Sequence, residues 1–309
     1  MENNLVIIIL NYKNYNETID CVHNILKFNI GNKIVIVDNS SPNNSYSILK
    51  EHFSLIKNVF VVLNKYNYGY AAGNNFGVRY ALNNFNDVRY ICIMNPDIRI
   101  TYRQIFSNLI DKLNENKNLA LIAPIIISCD FLDFRNVGWL IPKTWQLFCL
   151  QSAFRKNNKW RPKYKIDKNG LMNIDVVPGS MFIIKADAFN NVDLFDEGTF
   201  LYFEETILAI KLKRQNYKEA ISIGEYCYHM HEIGERPTLK QNILLYKRNS
   251  DSLIYMVKKY YNKNLVILLK LEYLINILII IIKYPIGTMT KYNRWLKINC
   301  NKALSTRKS

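Results

Sequence analysis

Four acidic residues in this chain, at three places, stand where chemistry is possible. Asp97 follows Asn95 and Pro96 and closes the apolar run Arg89–Met94, so a strand that reads as buried stops at a carboxylate held behind a proline. An acid at a strand end can cap a helix, make a turn, or sit where a metal ion and a diphosphate bind. Asp38 closes a second apolar run, Lys33–Val37. Glu204 and Glu205 open a helical pattern over Glu204–Arg214. Adjacent helical positions point about 100° apart, so the two acids do different jobs. For an isolated pair at a helix start, complementing the helix dipole is a sufficient account, contributing about 0.3–1 kcal/mol.

The elements that must position these acids follow from the apolar pattern. Leu5–Leu10, Lys33–Val37, Val59–Leu63, Arg89–Met94 and Leu119–Ala123 read as buried strands. Thr18–Phe28, Ala71–Leu82 and Tyr102–Leu113 read as the helices between them. Unbroken apolar strands alternating with helices predict an α/β fold with a mostly parallel, Rossmann-like sheet covered on both faces. Such sheets bind ligands at the carboxyl ends of their strands, where Asp38 and Asn95–Asp97 fall. The stretch after the third strand, residues 64–77, spaces Gly69, Gly73 and Gly77 four apart. It is neither a P-loop nor a dinucleotide fingerprint. Its glycines permit close helix–sheet packing, and Asn67, Asn74 and Asn75 can hydrogen-bond a base or a sugar.

Beyond residue 125 the alternation breaks. Residues 155–168 carry seven Lys/Arg, one Asp, Trp160 and Tyr164, and read as a basic insertion. Met181–Ile184, Ala220–Ile223 and Tyr226–His229 read as strands, and Leu239–Tyr261 as a helix. Leu265–Ile282 is the most apolar stretch, broken by Lys270, Glu272 and Asn276; after Glu272 come seven Lys/Arg and no acid. Glu272, Asn276 and Lys283 fall within about 40° on a helical wheel. The pattern fits a helix lying on an anionic membrane with a basic tail, ahead of a buried helix or a spanning one.

Charge agrees with that polarity. Residues 1–125 hold 12 basic and 9 acidic groups, and residues 126–309 hold 29 and 16, so the second half is built to face something anionic. Nucleic acid ranks last among the anions, because it explains none of the strand-end acids. The six cysteines are scattered, with no CxxC pair, which points to a reducing compartment and no structural zinc. Leu5–Leu10 is too short for a signal peptide and has no basic region before it.

Taken in order, Asn11-Tyr12, "VDNSSPNNS", "NYGYAAGNN", "NPD" and "VPGSMFIIKADAFNNVDLFDEGTFLYFEE" resemble the family-2 inverting glycosyltransferases, and within them the rhamnosyltransferase-like branch. The likeness covers about residues 4–235. It implies a GT-A fold at 1–235, with a nucleotide-sugar half at 1–125 and an acceptor half at 126–235, followed by a helical, basic, membrane-proximal region at 236–309. Asn11, Asp38, Asn67, Gly69, Asn74, Asn95, Asp97, Gly179 and Ser180 would then line the donor site. Asp97 and His231 would hold a divalent cation, Mg²⁺ or Mn²⁺, with Asn95 replacing the first acid of the Asp-x-Asp motif. Glu204-Glu205 matches Glu-Asp, whose second acid is the general base.

The implied reaction is transfer of a sugar, with rhamnose the first choice, from dTDP-rhamnose or a UDP- or GDP-sugar. The acceptor would be a glycan or lipid-linked saccharide, on the inner face of the cell membrane. The chain departs from the family pattern at Glu205 for Asp, Ile207 for Asp, Lys211 for Arg and Asn216 for Gly. Asn95 and Ile207 favour the alternative, a catalytically impaired donor-binding partner in a glycan-assembly complex.

Overall fold

The computed structural model describes residues 4–29, 31–128, 137–151, 165–230 and 238–283. The chain opens with β1 (Leu5–Asn11), α1 (Tyr15–Leu26), β2 (Lys33–Asp38), α2 (Ser45–His52), β3 (Val59–Leu63), α3 (Tyr70–Asn84), β4 (Tyr90–Met94), β5 (Ile98–Ile100) and α4 (Ile105–Glu115). It continues through β6 (Leu119–Ser128), α5 (Gln146–Gln151), β7 (Lys165–Ile166), β8 (Leu171–Ile174), β9 (Met181–Lys185) and α6 (Ala186–Asn191). It ends with α7 (Glu204–Arg214), β10 (Lys218–His229), α8 (Leu239–Tyr260) and α9 (Leu265–Lys283).

Among the described residues all ten strands join one sheet, in the order β3-β2-β1-β4-β9-β6-β10-β8-β7, with β5 paired to β10. The strands β3, β2, β1 and β4 are parallel, and β10 runs parallel to β6. Strand β9 is antiparallel to both β4 and β6, so it enters the sheet from the opposite edge. Its first residue, Met181, pairs with Met94, the last of β4. That reversal brings the turn before β9 to the carboxyl edge, beside Asn95 and Asp97.

Alternation along β1 shows why its run is unbroken. Leu5, Ile7 and Ile9 join the core shared with α1, α2 and α4, while Val6 and Ile8 join the core on the α3 face. Both faces are covered, so neither set can be polar. Helix α3 sits close to the sheet because its glycines allow it: a Cβ at Gly77 would lie 2.7 Å from side chains of Ile8 and Val37, and one at Gly73 would lie 2.6 Å from Leu10.

Several elements differ from the sequence reading. The stretches 220–223 and 226–229 are one strand, β10, with a register shift between Ser222 and Tyr226. A bulge carries Gly224 and Glu225 there, which is why the apolar pattern lapses. The turn-like "SSPNNS" is followed at once by α2, whose short, mostly polar face gave little period to read. Most of the basic insertion, and the tail beyond Lys283, lie outside the described residues.

A third apolar cluster joins Leu147, Ile207, Ile210, Leu253, Met256, Val257 and Leu269, and so binds α5, α7, α8 and α9 together. The opposite side of α9 is open: Ile267, Leu268, Leu271, Leu274, Ile275, Leu278, Ile281 and Ile282 are all exposed. At 100° per residue these eight span an arc of about 140°. Asn276 is buried on the far side, and Tyr246 of α8 faces it together with Glu272. The polar stripe of α9 is therefore turned to α8, and the apolar stripe outward.

Candidate active site

The carboxyl ends of β1, β2 and β4 meet the turn before β9 and the start of α7. Asn11, at the end of β1, donates through Nδ2 to Asp38 Oδ2 at 2.7 Å and accepts from the Thr18 hydroxyl at 2.9 Å. The other Asp38 oxygen takes the Ser41 amide at 2.9 Å. Both residues are wholly buried and fix the turn after β2, where Ser40 has a positive φ. The next residue, Asn39, was not among the sequence-derived site residues, yet it ties the loop after β2 to the loop after β3. It accepts from Asn64 at 3.0 Å and donates to Asn67 at 3.1 Å and to the Gly69 carbonyl at 3.2 Å.

Asn67 in turn accepts the Gly69 amide at 3.0 Å. Gly69 has φ +104, and a Cβ there would lie 2.1 Å from the Phe200 carbonyl oxygen, so no larger residue fits. Asn74 is buried and donates to the Tyr70 carbonyl at 3.0 Å, within its own helix. Asn75 staples α3 to the segment before α7, donating to the Phe195 carbonyl at 2.9 Å and accepting its amide at 3.0 Å.

Tyr70 lies at the centre. Its hydroxyl donates to the Gly179 carbonyl at 2.8 Å and is 3.2 Å from Asn95 Oδ1. Burial, then the charges of Glu205, Glu204 and Asp97, push its hydroxyl far above the usual tyrosine range, so it stays a donor. Glu205 reaches the same Gly179 turn that Tyr70 holds, and Asp97 lies two residues beyond Asn95. Nothing in the sequence distinguishes Tyr70 from the aromatics beside it.

Asn95 and Asp97 sit where β4 turns into β5. The Asn95 amide donates to the Ser180 carbonyl at 2.8 Å, and the Met230 amide to the Asp97 carbonyl at 2.8 Å. Asp97 Oδ2 is 2.7 Å from Nε2 of His229, the last residue of β10. Sequence comparison selected His231, which lies outside the described residues; the histidine placed on Asp97 is His229. Strand parity carried the missing signal: His229 pairs with Ile98, next to Asp97. A carboxylate and an imidazole at this separation suit two neighbouring ligands of one octahedral ion, which at about 2.1–2.2 Å from the metal stand roughly 3 Å apart. Among the described residues no group of three or more His, Cys, Asp and Glu is placed to hold an ion. The residues that would hold such an ion are Asp97 and His229.

The Glu pair opens α7 immediately after two left-handed residues, Tyr202 (φ 78) and Phe203 (φ 68). Left-handed backbone costs a non-glycine residue about 1–2 kcal/mol, so packing elsewhere must hold this corner. The hold comes from α8. Ser252 donates to the Leu201 carbonyl at 2.8 Å, and Asp196 receives Lys259 at 2.8 Å, Tyr255 at 2.7 Å and the Tyr260 hydroxyl. Burial alone would raise the Asp196 carboxyl; these hydrogen bonds overcome it and hold the group at about 2.

Glu204 is buried, and its Oε2 has no hydrogen-bond partner among the described residues. Burial, then the neighbouring Glu205, raise its carboxyl to about 8. Glu205 is partly exposed and lies over Gly179: a Cβ at Gly179 would be 2.2 Å from Glu205 Oε1. Burial raises its carboxyl too, opposed by a hydrogen bond from the Gly179 backbone. Beneath the same turn, buried Glu219 accepts the Val177 amide at 3.0 Å. Burial pushes that carboxyl well above its ordinary range.

Ile207, where the family pattern has an acid, is wholly buried in the cluster joining α7 to α8 and α9. The position faces the helix's packed side, and the apolar residue matches it. Lys211, in place of the usual Arg, caps the turn after α6 by donating to the Leu194 carbonyl at 2.7 Å and the Asp193 carbonyl at 3.1 Å.

A profile for "Glycosyl transferase family 2" matches residues 6–193, more than half of the chain. The chain belongs to glycosyl transferase family 2. This family-2 chain is 25% identical over 249 residues to the low-salt glycan biosynthesis hexosyltransferase Agl10 of Haloferax volcanii, covering 77% of the chain and 69% of Agl10. It is 24% identical over 168 residues to the rhamnosyltransferase WbbL of Escherichia coli K12, covering 52% of the chain and 62% of WbbL. Among solved structures it resembles GalNAc-T7 with UDP, GalNAc and Mn²⁺, at TM-score 0.60 and 15% identity, over 84% of the chain. The chain spans about half, 49%, of that structure. The likeness establishes the GT-A fold for the glycosyltransferase.

Proposed function

We propose that this glycosyltransferase transfers a sugar, with inversion, from a nucleoside-diphosphate sugar to a hydroxyl of a glycan or lipid-linked saccharide at the cytoplasmic face of the membrane. The observation that carries the reading is the juxtaposition, around Tyr70, of a partly exposed carboxylate (Glu205) and the Asp97–His229 pair. One direct displacement needs a base on one side of the anomeric carbon and a stabilised leaving group on the other. Glu205 is the base: it can accept the acceptor's proton as the oxygen attacks. Glu204, buried behind it, is itself raised to about 8 by burial and by Glu205.

Asp97 and His229 would hold a divalent cation, which when bound offsets charge on the departing nucleoside diphosphate. Tyr70 fixes Asn95 and the 177–180 turn, so donor floor and base stay in register. Residues 38–41 and 64–70, tied by Asn39, form the nucleoside end, and Asp38 acts there by holding its turn. The hexosyltransferase and rhamnosyltransferase relatives support a hexose or deoxyhexose donor, with rhamnose the first to try. The GalNAc-T7 structure with UDP, GalNAc and Mn²⁺ supports the cation. The apolar arc of α9 supports membrane contact by one face, since its other face is part of the protein core.

Thermal-shift titration with UDP, GDP and dTDP, with and without Mn²⁺, tests the site. One nucleotide should stabilise the protein in a Mn²⁺-dependent way, and Asp97→Asn should abolish the dependence while the unliganded melting temperature stays within about a degree. Unchanged metal dependence in Asp97→Asn would leave Asp97 as a turn residue and overturn the assignment.

A further inference from the structure

His23 of α1 and His52 of α2 meet on the surface, with their Nε2 atoms 2.7 Å apart. The ring centroids are 5.0 Å apart and the planes cross at 78°, so the two nitrogens face each other between the rings. Both imidazoles rest on one buried ring, Phe53, at centroid distances of 5.7 Å and 4.8 Å. Phe53 belongs to the core that α1 and α2 share. The pair is therefore braced from beneath, while both side chains stay exposed to water.

A neutral imidazole carries one ring N–H and one lone pair. The contact as it stands is one N–H···N bond, which between exposed groups adds little to stability. The same two atoms are what a transition-metal ion needs. Two imidazole nitrogens on one ion, each at about 2.0–2.1 Å, stand roughly 3.0–3.4 Å apart. Exposed side chains can part by that small difference. Each ring then carries its hydrogen on Nδ1 and turns its Nε2 lone pair to the ion. The setting favours positive charge, because His23 lies in the last turn of α1 and His52 in the last turn of α2, where a helix dipole is negative.

Ligand type says which ion. Imidazole suits Zn²⁺, Ni²⁺ and Cu²⁺, whereas Mg²⁺ and Mn²⁺ prefer oxygen. Among the described residues no third His, Cys, Asp or Glu stands with the pair, so solvent would fill the remaining positions.

We propose that His23 and His52 form a second divalent-cation site, for an imidazole-preferring ion such as Zn²⁺ or Ni²⁺, which ties α1 to α2. It shares no residue with the Asp97–His229 pair and is independent of the sugar-transfer reading.

The test uses Ni²⁺ as the probe, titrated calorimetrically into the untagged full-length chain, both wild type and Asp97→Asn. In the second background the donor-side pair cannot answer for the signal. In both, His23→Gln and His52→Gln should each weaken binding of one Ni²⁺ by about tenfold or more, and the double variant should lose little further. Ni²⁺ should raise the melting temperature of the parent and leave that of either histidine variant unmoved. Mg²⁺ should give no shift that depends on His23. Both side chains are exposed, and melting curves without metal check that the variants fold. Unchanged Ni²⁺ affinity in either single variant, or no Ni²⁺ binding by the parent, would overturn the site.

Discussion

The Glu205 carboxylate occupies the space that a side chain at position 179 would fill, 2.2 Å from where a Cβ on Gly179 would stand. A glycine in the turn before β9 is thus what allows an acid at the start of α7 to reach the carboxyl edge of the sheet. The contact joins the two halves of the site, because the same Gly179 carbonyl receives Tyr70 from the donor side.

Gly179→Ala should separate fold from chemistry. The obstructed atom is the far end of a flexible side chain, so Glu205 can swing aside at little cost to stability. Turnover should fall by roughly 10²-fold or more, as expected when a general base is misplaced, while nucleoside-diphosphate affinity holds. Steady-state kinetics alongside a melting curve reads both.

The two glutamates give a pH signature. Glu204 is raised from its ordinary value to about 8, so its ionisation opposes folding. The sign follows from linkage: its contribution is most favourable below about 4.5 and is lost as pH rises towards 8. Glu204→Gln should therefore melt higher than wild type at pH 8–9, with the gap closing near pH 5. Turnover of wild type should rise with pH through a limb above the ordinary carboxylate range, because Glu205 is also raised.

Ile207 bears on whether the site is impaired. Ile207→Asp restores the family's usual acid but places it among Leu147, Leu253, Met256 and Leu269. An unpaired carboxylate there should cost on the order of 3–5 kcal/mol and should not raise activity. A variant as stable as wild type with faster turnover, measured by denaturant melts and donor consumption, would revive the impaired-partner reading.

Membrane contact should depend on the outer arc of α9. Replacing Leu271, Leu274 and Leu278 by Gln should release the protein from anionic vesicles in flotation while raising its solubility, since all three are exposed. High salt should weaken binding only in part, because screening reaches the charges and not the apolar face.

Much of this was legible in the sequence. The five parallel-type strands follow from unbroken apolar runs and three of the four helices between them from their period, and the strand-end positions of Asp38 and Asp97 follow from where those runs stop. Residues whose role depends on reversal or bulging were not. His229 reaches Asp97 because β10 carries a bulge and pairs with β5, and neither leaves a period to read. Tyr70 and Asn39 act through loop geometry that only the closed sheet creates. Ile207 looked like a lost acid because the sequence does not say which side of α7 the C-terminal helices cover.

Comparing Glu205→Gln with Glu204→Gln in donor turnover, using the nucleotide sugar identified by thermal shift, tests the central claim most directly. Glutamine keeps size and hydrogen bonding but cannot take a proton. Glu205→Gln should cut turnover by roughly 10²–10⁴-fold with donor affinity unchanged, and Glu204→Gln should lose far less at high pH. Full turnover in Glu205→Gln, with or without loss in Glu204→Gln, would contradict the assignment of Glu205 as the base.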